Sequence, residues 1–388
     1  MIPEFKPGNK IQLLENGTEF FPALIATIDS ARAEIHLETY IFSSDVAAKS
    51  VVDALIRARQ RDVAVRILVD GFGARDFTDE LGRDAINAGC EVMIYRAEAP
   101  KMRFRRNRLR RLHRKLAVVD GRVAFVGGIN IIGDLTGTAP DLPRQDYAVI
   151  VEGPVVADIH FTVRYVWRLV RWATIGQRPQ APPSQALDCG PQGTMRAAFL
   201  IRDNLAHRRD IENAYLAAIN DAHREVIIAC AYFLPGRHFR KALTIAAKRG
   251  VNVTLLLQSR GDHPLIRNAE RLLYNEFLQA GIKVVEYQAG FLHAKVGISD
   301  GRWATVGSSN IDPFSLLLAR EANVVIDDAE FAATLRRRLH HAITAGGQEV
   351  SIDNVKNRSM WERLVSRFAY VLIRFAISVS RYAGDYRQ

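Results

Sequence analysis

The same signature occurs twice in this chain, at matching places in its two halves. His113-Arg114-Lys115 is followed after four residues by Asp120-Gly121, then by Gly127-Gly128 and Asn130. His293-Ala294-Lys295 is followed after four residues by Asp300-Gly301, then by Gly307-Ser308 and Asn310. In both, the Asn stands 17 positions after the His. The flanking pattern repeats as well. In the first half, helical spacing over 20–30 and 47–61 and near 78–87 alternates with apolar strands over 35–42, 63–70 and 91–95. In the second, helices over 209–222, 239–249 and 267–280 alternate with strands over 225–232, 251–257 and 283–287. Two copies of one unit, each a sheet flanked by helices, is the architecture such a pattern specifies.

With 388 residues, 48% of them apolar, the chain can bury a core in each copy. Pro179, Pro182, Pro183 and Pro191 mark a linker between them. The division is therefore a first repeat over 1–177, a linker over 178–195, a second repeat over 196–345 and a basic amphipathic segment over 346–388.

The paired signature carries chemistry. On a strand, residues i and i+2 share a face, which sets His113 beside Lys115 and His293 beside Lys295. An imidazole next to an ammonium suits a phosphate: one attacks phosphorus or moves a proton while the other holds a non-bridging oxygen. Asp-Gly between apolar strands is a hairpin signal, so the residues themselves read Asp120 and Asp300 as turn formers. Gly127, Gly128, Gly307 and Ser308 are small enough for backbone to approach a phosphate, and Asn130 and Asn310 offer amide donors. An attacking imidazole needs a carboxylate on its other nitrogen. Asp146 and Glu321, each opening an apolar strand, are the candidates. No HExxH and no paired CxxC occurs, so neither a metal nor another cofactor is expected.

Lys and Arg outnumber Asp and Glu 53 to 42, a net charge of +11 that favours nucleic acid or an anionic membrane as partner. Three cysteines without metal-ligand spacing argue against a disulfide framework and for a reducing compartment. There is no signal-peptide pattern at the start and no 18-residue uncharged apolar run.

The duplicated HxKx4D motif resembles that of the phospholipase D superfamily. The segments Glu38-Thr39-Tyr40-Ile41-Phe42, Gln145-Asp146-Tyr147-Ala148-Val149 and Tyr232-Phe233-Leu234-Pro235 are similar to those of bacterial cardiolipin synthases of the B type. The resemblance implies two phospholipase D-like units, each a mixed β-sheet flanked by helices, related by a pseudo-two-fold axis with the active site between them. It counts His113, Lys115, Asp120, His293, Lys295 and Asp300 as the catalytic set. It makes His113 the nucleophile and His293 the acid and base, with Lys115, Lys295, Asn130 and Asn310 on phosphate; from its place after the motif, Ser308 is expected to join them. It places Asp146 behind His113 and Glu321 behind His293. The implied reaction moves a phosphatidyl group from one phosphatidylglycerol to another through a phosphohistidine, releasing glycerol. Hydrolytic phospholipase D and a nuclease of the same superfamily are the alternatives, although no nucleic-acid partner is expected. The implied location is peripheral, on the cytoplasmic side of the bacterial inner membrane; oligomeric state is left open. The chain departs from the family pattern at Ala319-Arg320, just before Glu321.

Two segments bear on lipid. The run 101–111 holds Lys101 and six arginines, and its expected role is attraction of anionic headgroups at the mouth of the cleft. Over 361–381, Trp361, Leu364, Val365, Phe368, Leu372, Phe375 and Val379 recur near helical spacing, in a segment that also holds Arg363, Arg367, Arg374 and Arg381. Such a helix either packs on the core or lies in a membrane interface. Trp167 and Trp172 pose the same choice, with core packing expected.

Overall fold

The structure is a computed structural model; it describes residues 3–96, 111–135, 143–176, 189–203, 206–259, 264–312, 319–357 and 359–382. The basic run expected at 101–111 therefore falls outside it except for Arg111, as does most of the proline-rich linker.

The first repeat opens with β1 (Lys6–Glu15), followed by the parallel strands β2 (Glu34–Thr39), β3 (Ala64–Asp70) and β4 (Glu91–Tyr95). Short β5 (Arg111–Leu112) leads into the hairpin β6 (Lys115–Val119) and β7 (Val123–Gly127). Short β8 (Arg144–Gln145) then precedes β9 (Tyr147–Glu152). The second repeat runs through β10 (Met195–Arg202), β11 (Glu225–Cys230), β12 (Asn252–Gln258) and β13 (Lys283–Tyr287). It continues through β14 (Phe291–Leu292), β15 (Lys295–Ser299), β16 (Trp303–Gly307) and β17 (Ala319–Asp327), with β18 (Gly347–Glu349) added on the edge of β13.

Apart from β8 and β14, which pair with each other in a separate two-stranded sheet, these strands form one mixed sheet whose order is palindromic in the repeats. From the centre outward it reads β1-β9-β7-β6-β2-β3-β4 in one direction and β10-β17-β16-β15-β11-β12-β13 in the other. The two halves meet where β1 pairs antiparallel with β10, Lys6 opposite Ala197 and Asn9 opposite Met195. A pseudo-two-fold axis consequently passes between these strands. Sequence periodicity missed both. Gly8 and Asn9 interrupt β1, and its buried residues alternate with exposed ones only over the short run 9–13.

Helices cover both faces of the sheet. Val156–Ile175 and Ala329–Gly346 lie on one face, over an apolar layer that runs across the repeat boundary from Ile11 and Val149 to Val324 and Leu335. Burial of this continuous layer is the main force joining the halves. On the other face each repeat has its own core, around Leu24, Leu55 and Ile67 in the first and around Leu243, Leu255 and Phe277 in the second. Local chemistry sets the helix starts: Asp45 caps Val46–Gln60 by accepting from the Ala48 amide at 2.9 Å, and Asp328 caps Ala329–Gly346 through the Phe331 amide at 2.9 Å.

Of the two tryptophans on Val156–Ile175, Trp167 is buried as expected, whereas Trp172 is 46% exposed. Helix Met360–Tyr382 packs against Pro264–Gln279, and among its described side chains it buries Ser366, Ala369 and Ile373. No helix of the described residues is long and apolar enough to cross a membrane.

Candidate active site

His113 lies between β5 and β6, and His293 occupies the same place between β14 and β15. What precedes each histidine determines its partner. Short β5 leaves its own repeat to pair in parallel with β17 of the other, Arg111 opposite Ala319 and Leu112 opposite Arg320. Short β14 makes the reciprocal pairing with β8, Phe291 opposite Arg144 and Leu292 opposite Gln145. The His113 amide then donates to the Arg320 carbonyl at 3.0 Å, and the His293 amide to the Gln145 carbonyl at 2.8 Å. Each histidine is thus delivered to the strand that carries the other repeat's carboxylate.

The carboxylates are accordingly exchanged relative to expectation. His113 Nδ1 is 2.9 Å from Glu321 Oε1, and His293 Nδ1 is 2.6 Å from Asp146 Oδ2. Pairing within a repeat, as the family resemblance was read to imply, is corrected to pairing across the axis. Its physical cause is the strand swap, which no spacing along the chain reveals. The departure at Ala319-Arg320 falls where the site is engaged through backbone, by pairing with β5 and by the Arg320 carbonyl.

Around the histidines, Lys115 Nζ donates to the His113 carbonyl at 2.5 Å and Lys295 Nζ to the His293 carbonyl. Both ammonium groups are buried, and burial lowers both, Lys115 to about 7. Burial also pulls both imidazoles below their usual range. Glu321 opposes this at His113, while the charges of Lys295, Lys115 and Arg144 reinforce it at His293. Asp146 is raised to about 6, burial outweighing the nearby cations. Imidazoles backed by buried carboxylates and flanked by lysines can supply a nucleophile and a proton carrier to an anionic substrate.

The two halves of the site differ behind the carboxylate. Glu321 Oε2 accepts the Ser308 hydroxyl at 2.5 Å. That commitment removes Ser308 from the expected phosphate ligands and makes it a support for Glu321. At the matching position Gly128 stands so near Asp146 that an added Cβ would lie 2.2 Å from Oδ1. Gly127 and Gly307 are packed against Ala148 and Asn323, so the small residues serve sheet packing and carboxylate placement.

Asp120 and Asp300 are not at the cleft, which corrects their place in the catalytic set. Each ends the strand begun by its lysine, roughly 16 Å away along extended backbone. Asp120 (φ 52°) and Gly121 (φ 62°) make the mirror-image hairpin turn, as do Asp300 (φ 51°) and Gly301 (φ 65°). The Asp120 carboxylate accepts the amides of Arg32, Ala33 and Glu34 at 2.7–2.9 Å, and Asp300 accepts those of His223, Arg224 and Glu225 at 2.8–3.0 Å. They fasten the turn to the loop before β2 and β11, the role the Asp-Gly dipeptides predict.

Asn130 Oδ1 accepts the Ile41 amide at 3.0 Å, leaving its NH2 to donate, and the residue lines a crevice with Asp146, Arg144 and His293. Asn310 instead stands against the Cys230 thiol. Residues that sequence reasoning passed over include Arg144, which lies over the Phe291 ring at 5.5 Å, and Tyr40, whose ring is 5.0 Å from the His113 imidazole. Asp70 fixes β5 by accepting the Leu112 amide at 2.8 Å; its place at the end of an apolar strand was the available signal. Arg114, between His113 and Lys115, makes a buried two-point ion pair with Glu38 at 2.5 and 2.9 Å.

The sequence and the fold have counterparts among known proteins. A family model described as "Cardiolipin synthase, PLD-like domain" matches residues 24–158 and 215–343. The chain is 40% identical to cardiolipin synthase B of Escherichia coli (strain K12), over 95% of this chain and 89% of that protein. It is 30% identical to cardiolipin synthase A of Proteus mirabilis (strain HI4320), over 94% of this chain and 75% of the other. Among solved structures, phosphatidylserine synthase of Haemophilus influenzae Rd KW20 shares the fold, with a TM-score of 0.68 at 14% identity across 98% of this chain and 96% of that one. With its doubled motif folded about one cleft and likeness across nearly its whole length, the chain belongs to the cardiolipin synthase family of the phospholipase D superfamily.

Proposed function

We propose that this protein transfers a phosphatidyl group from one phosphatidylglycerol to another, forming cardiolipin and releasing glycerol. The observation that carries the proposal is the reciprocal His–carboxylate pairing across the axis, with a lysine beside each histidine. Glu321 holds the Nδ1 proton of His113, leaving Nε2 with a lone pair that attacks phosphorus. The bond from phosphorus to the departing glycerol oxygen breaks, and that oxygen takes a proton from His293. Burial and neighbouring cations depress His293, and an entering phosphodiester opposes those cations and so favours the imidazolium that donates. In the second half, His293 accepts the hydroxyl proton of a second phosphatidylglycerol, whose oxygen displaces His113 from phosphorus. Lys115, Lys295 and the Asn130 amide neutralise the non-bridging oxygens throughout. Asn310, on the opposite repeat, is assigned the equivalent contact. Catalysis takes place on a membrane surface, peripherally and at the cytoplasmic face of the inner membrane.

Phosphatidylglycerol supplied alone in mixed micelles tests the reading by mass spectrometry. Cardiolipin and glycerol in equal amounts are expected. Phosphatidic acid without cardiolipin would replace transfer by hydrolysis, and cleavage of DNA without lipid turnover would replace both.

A further inference from the structure

Helix Met360–Tyr382 turns its larger apolar side outward. Ser366, Ala369 and Ile373 are the buried residues of its inner side, Ala369 and Ile373 at 1% exposure within the second repeat's core. Trp361 (73% exposed), Leu364, Phe368 (68%), Val371 and Leu372 face solvent. At 3.6 residues per turn these five fall on one continuous stripe, opposite the buried side. Arg367 and Arg374, both exposed and seven residues apart, border that stripe. Among the described residues, the helix packs on Pro264–Gln279 through its other side and leaves this stripe exposed.

We propose that this stripe is a bilayer-docking surface that inserts among anionic phospholipids, resting on the substrate reading above for the identity of the lipid. Charge selects the occupant. Met360–Tyr382 holds four arginines and one glutamate, in a chain of net charge +11. Against a second copy, a self-complementary contact would set the same arginines against each other. Against an anionic membrane, Trp361, Leu364 and Phe368 enter the acyl boundary while Arg367 and Arg374 meet headgroup phosphates. The helix thus tethers the second repeat to the surface that holds the substrate.

The test is sedimentation of the full chain with phosphatidylglycerol vesicles and with phosphatidylcholine vesicles. Wild type is expected to favour the first. L364S/F368S, which alters only exposed positions, is expected to lose at least about tenfold in partitioning, or ~1.4 kcal/mol. R367Q/R374Q should erase the preference for anionic lipid while retaining weak binding to both. Wild-type partitioning by L364S/F368S would overturn the proposal. So would a lipid-free dimer of the wild type that this variant dissolves, because the stripe would then join two copies. Turnover in detergent micelles, measured in parallel, is expected to be unchanged in both variants. If the wild type bound vesicles by this stripe yet made no cardiolipin, the substrate reading would fail while the docking surface stood.

Discussion

Replacing Glu321 by Gln tests the exchange of carboxylates across the axis. In the native site Oε1 receives His113 Nδ1 at 2.9 Å and Oε2 receives the Ser308 hydroxyl at 2.5 Å. Ser308 Oγ in turn accepts the Ala322 amide at 3.1 Å, which leaves its proton aimed at residue 321. A glutamine is held by that proton with its oxygen toward Ser308 and its NH2 toward His113. Nδ1 must then accept, the imidazole proton moves to Nε2, and the attacking lone pair is lost. In a catalytic triad the corresponding Asp-to-Asn change costs about 10⁴ in kcat. An expected loss of about 10³–10⁴ corresponds to three or four factors of ten at 1.36 kcal/mol each, or roughly 4–5.5 kcal/mol of transition-state stabilisation. Adding Ser308→Ala frees the amide to turn its oxygen to His113 and should restore part of the rate. Cardiolipin formation in micelles measures both variants, and imidazole nitrogen NMR identifies which histidine has changed tautomer. A loss below tenfold, or a perturbed His293 with an unchanged His113, would refute the exchange.

Other expectations follow from the same geometry. With Asp146 raised to about 6 and Lys115 lowered to about 7, kcat/KM should fall below the first value, where the carboxylate protonates, and above the second, where the ammonium deprotonates. A profile that stays flat both below the first value and above the second would contradict the assignment, and Lys115→Arg should remove the alkaline limb even if it lowers the plateau. Asp300→Ala should cost about 1–2 kcal/mol in urea unfolding while folded enzyme stays active. Burial raises the Asp300 carboxyl, but three backbone amides outweigh it and leave the group below its usual 3.8. Its contribution is therefore complete above that value and disappears as pH falls through the folded pKa, so the variant should lose the acid-side part of the wild-type stability curve. Turnover should survive exhaustive chelation, because two histidines and two lysines supply proton transfer and charge neutralisation; loss in EDTA reversed by one divalent ion would reject the mechanism.

Chain-local chemistry was legible in the sequence. Alternating apolar strands and helices dictated a duplicated α/β unit, because periodicity reports which face each element buries. The Asp-Gly dipeptides specified the turns at Asp120 and Asp300, since a mirror-image turn depends on a few neighbouring residues. His113, Lys115, His293 and Lys295 stood out because the same spacing recurred in both copies.

Tertiary structure decided what lies across space. Asp146 and Glu321 could be named as carboxylates, but their partners depended on β5 and β14, two-residue strands too short to carry any periodicity. Ser308 looked like a phosphate ligand until the fold set Glu321 against it. β1 and β10 escaped notice although they join the halves, because Gly8 and Asn9 break the pattern and the pairing partner lies almost 190 residues away. Helix Met360–Tyr382 carries enough apolar residues for two faces, and sequence alone could not say which one the core would take. The contact with Pro264–Gln279 is what divides them, burying Ala369 and Ile373 and leaving Trp361 and Phe368 in solvent.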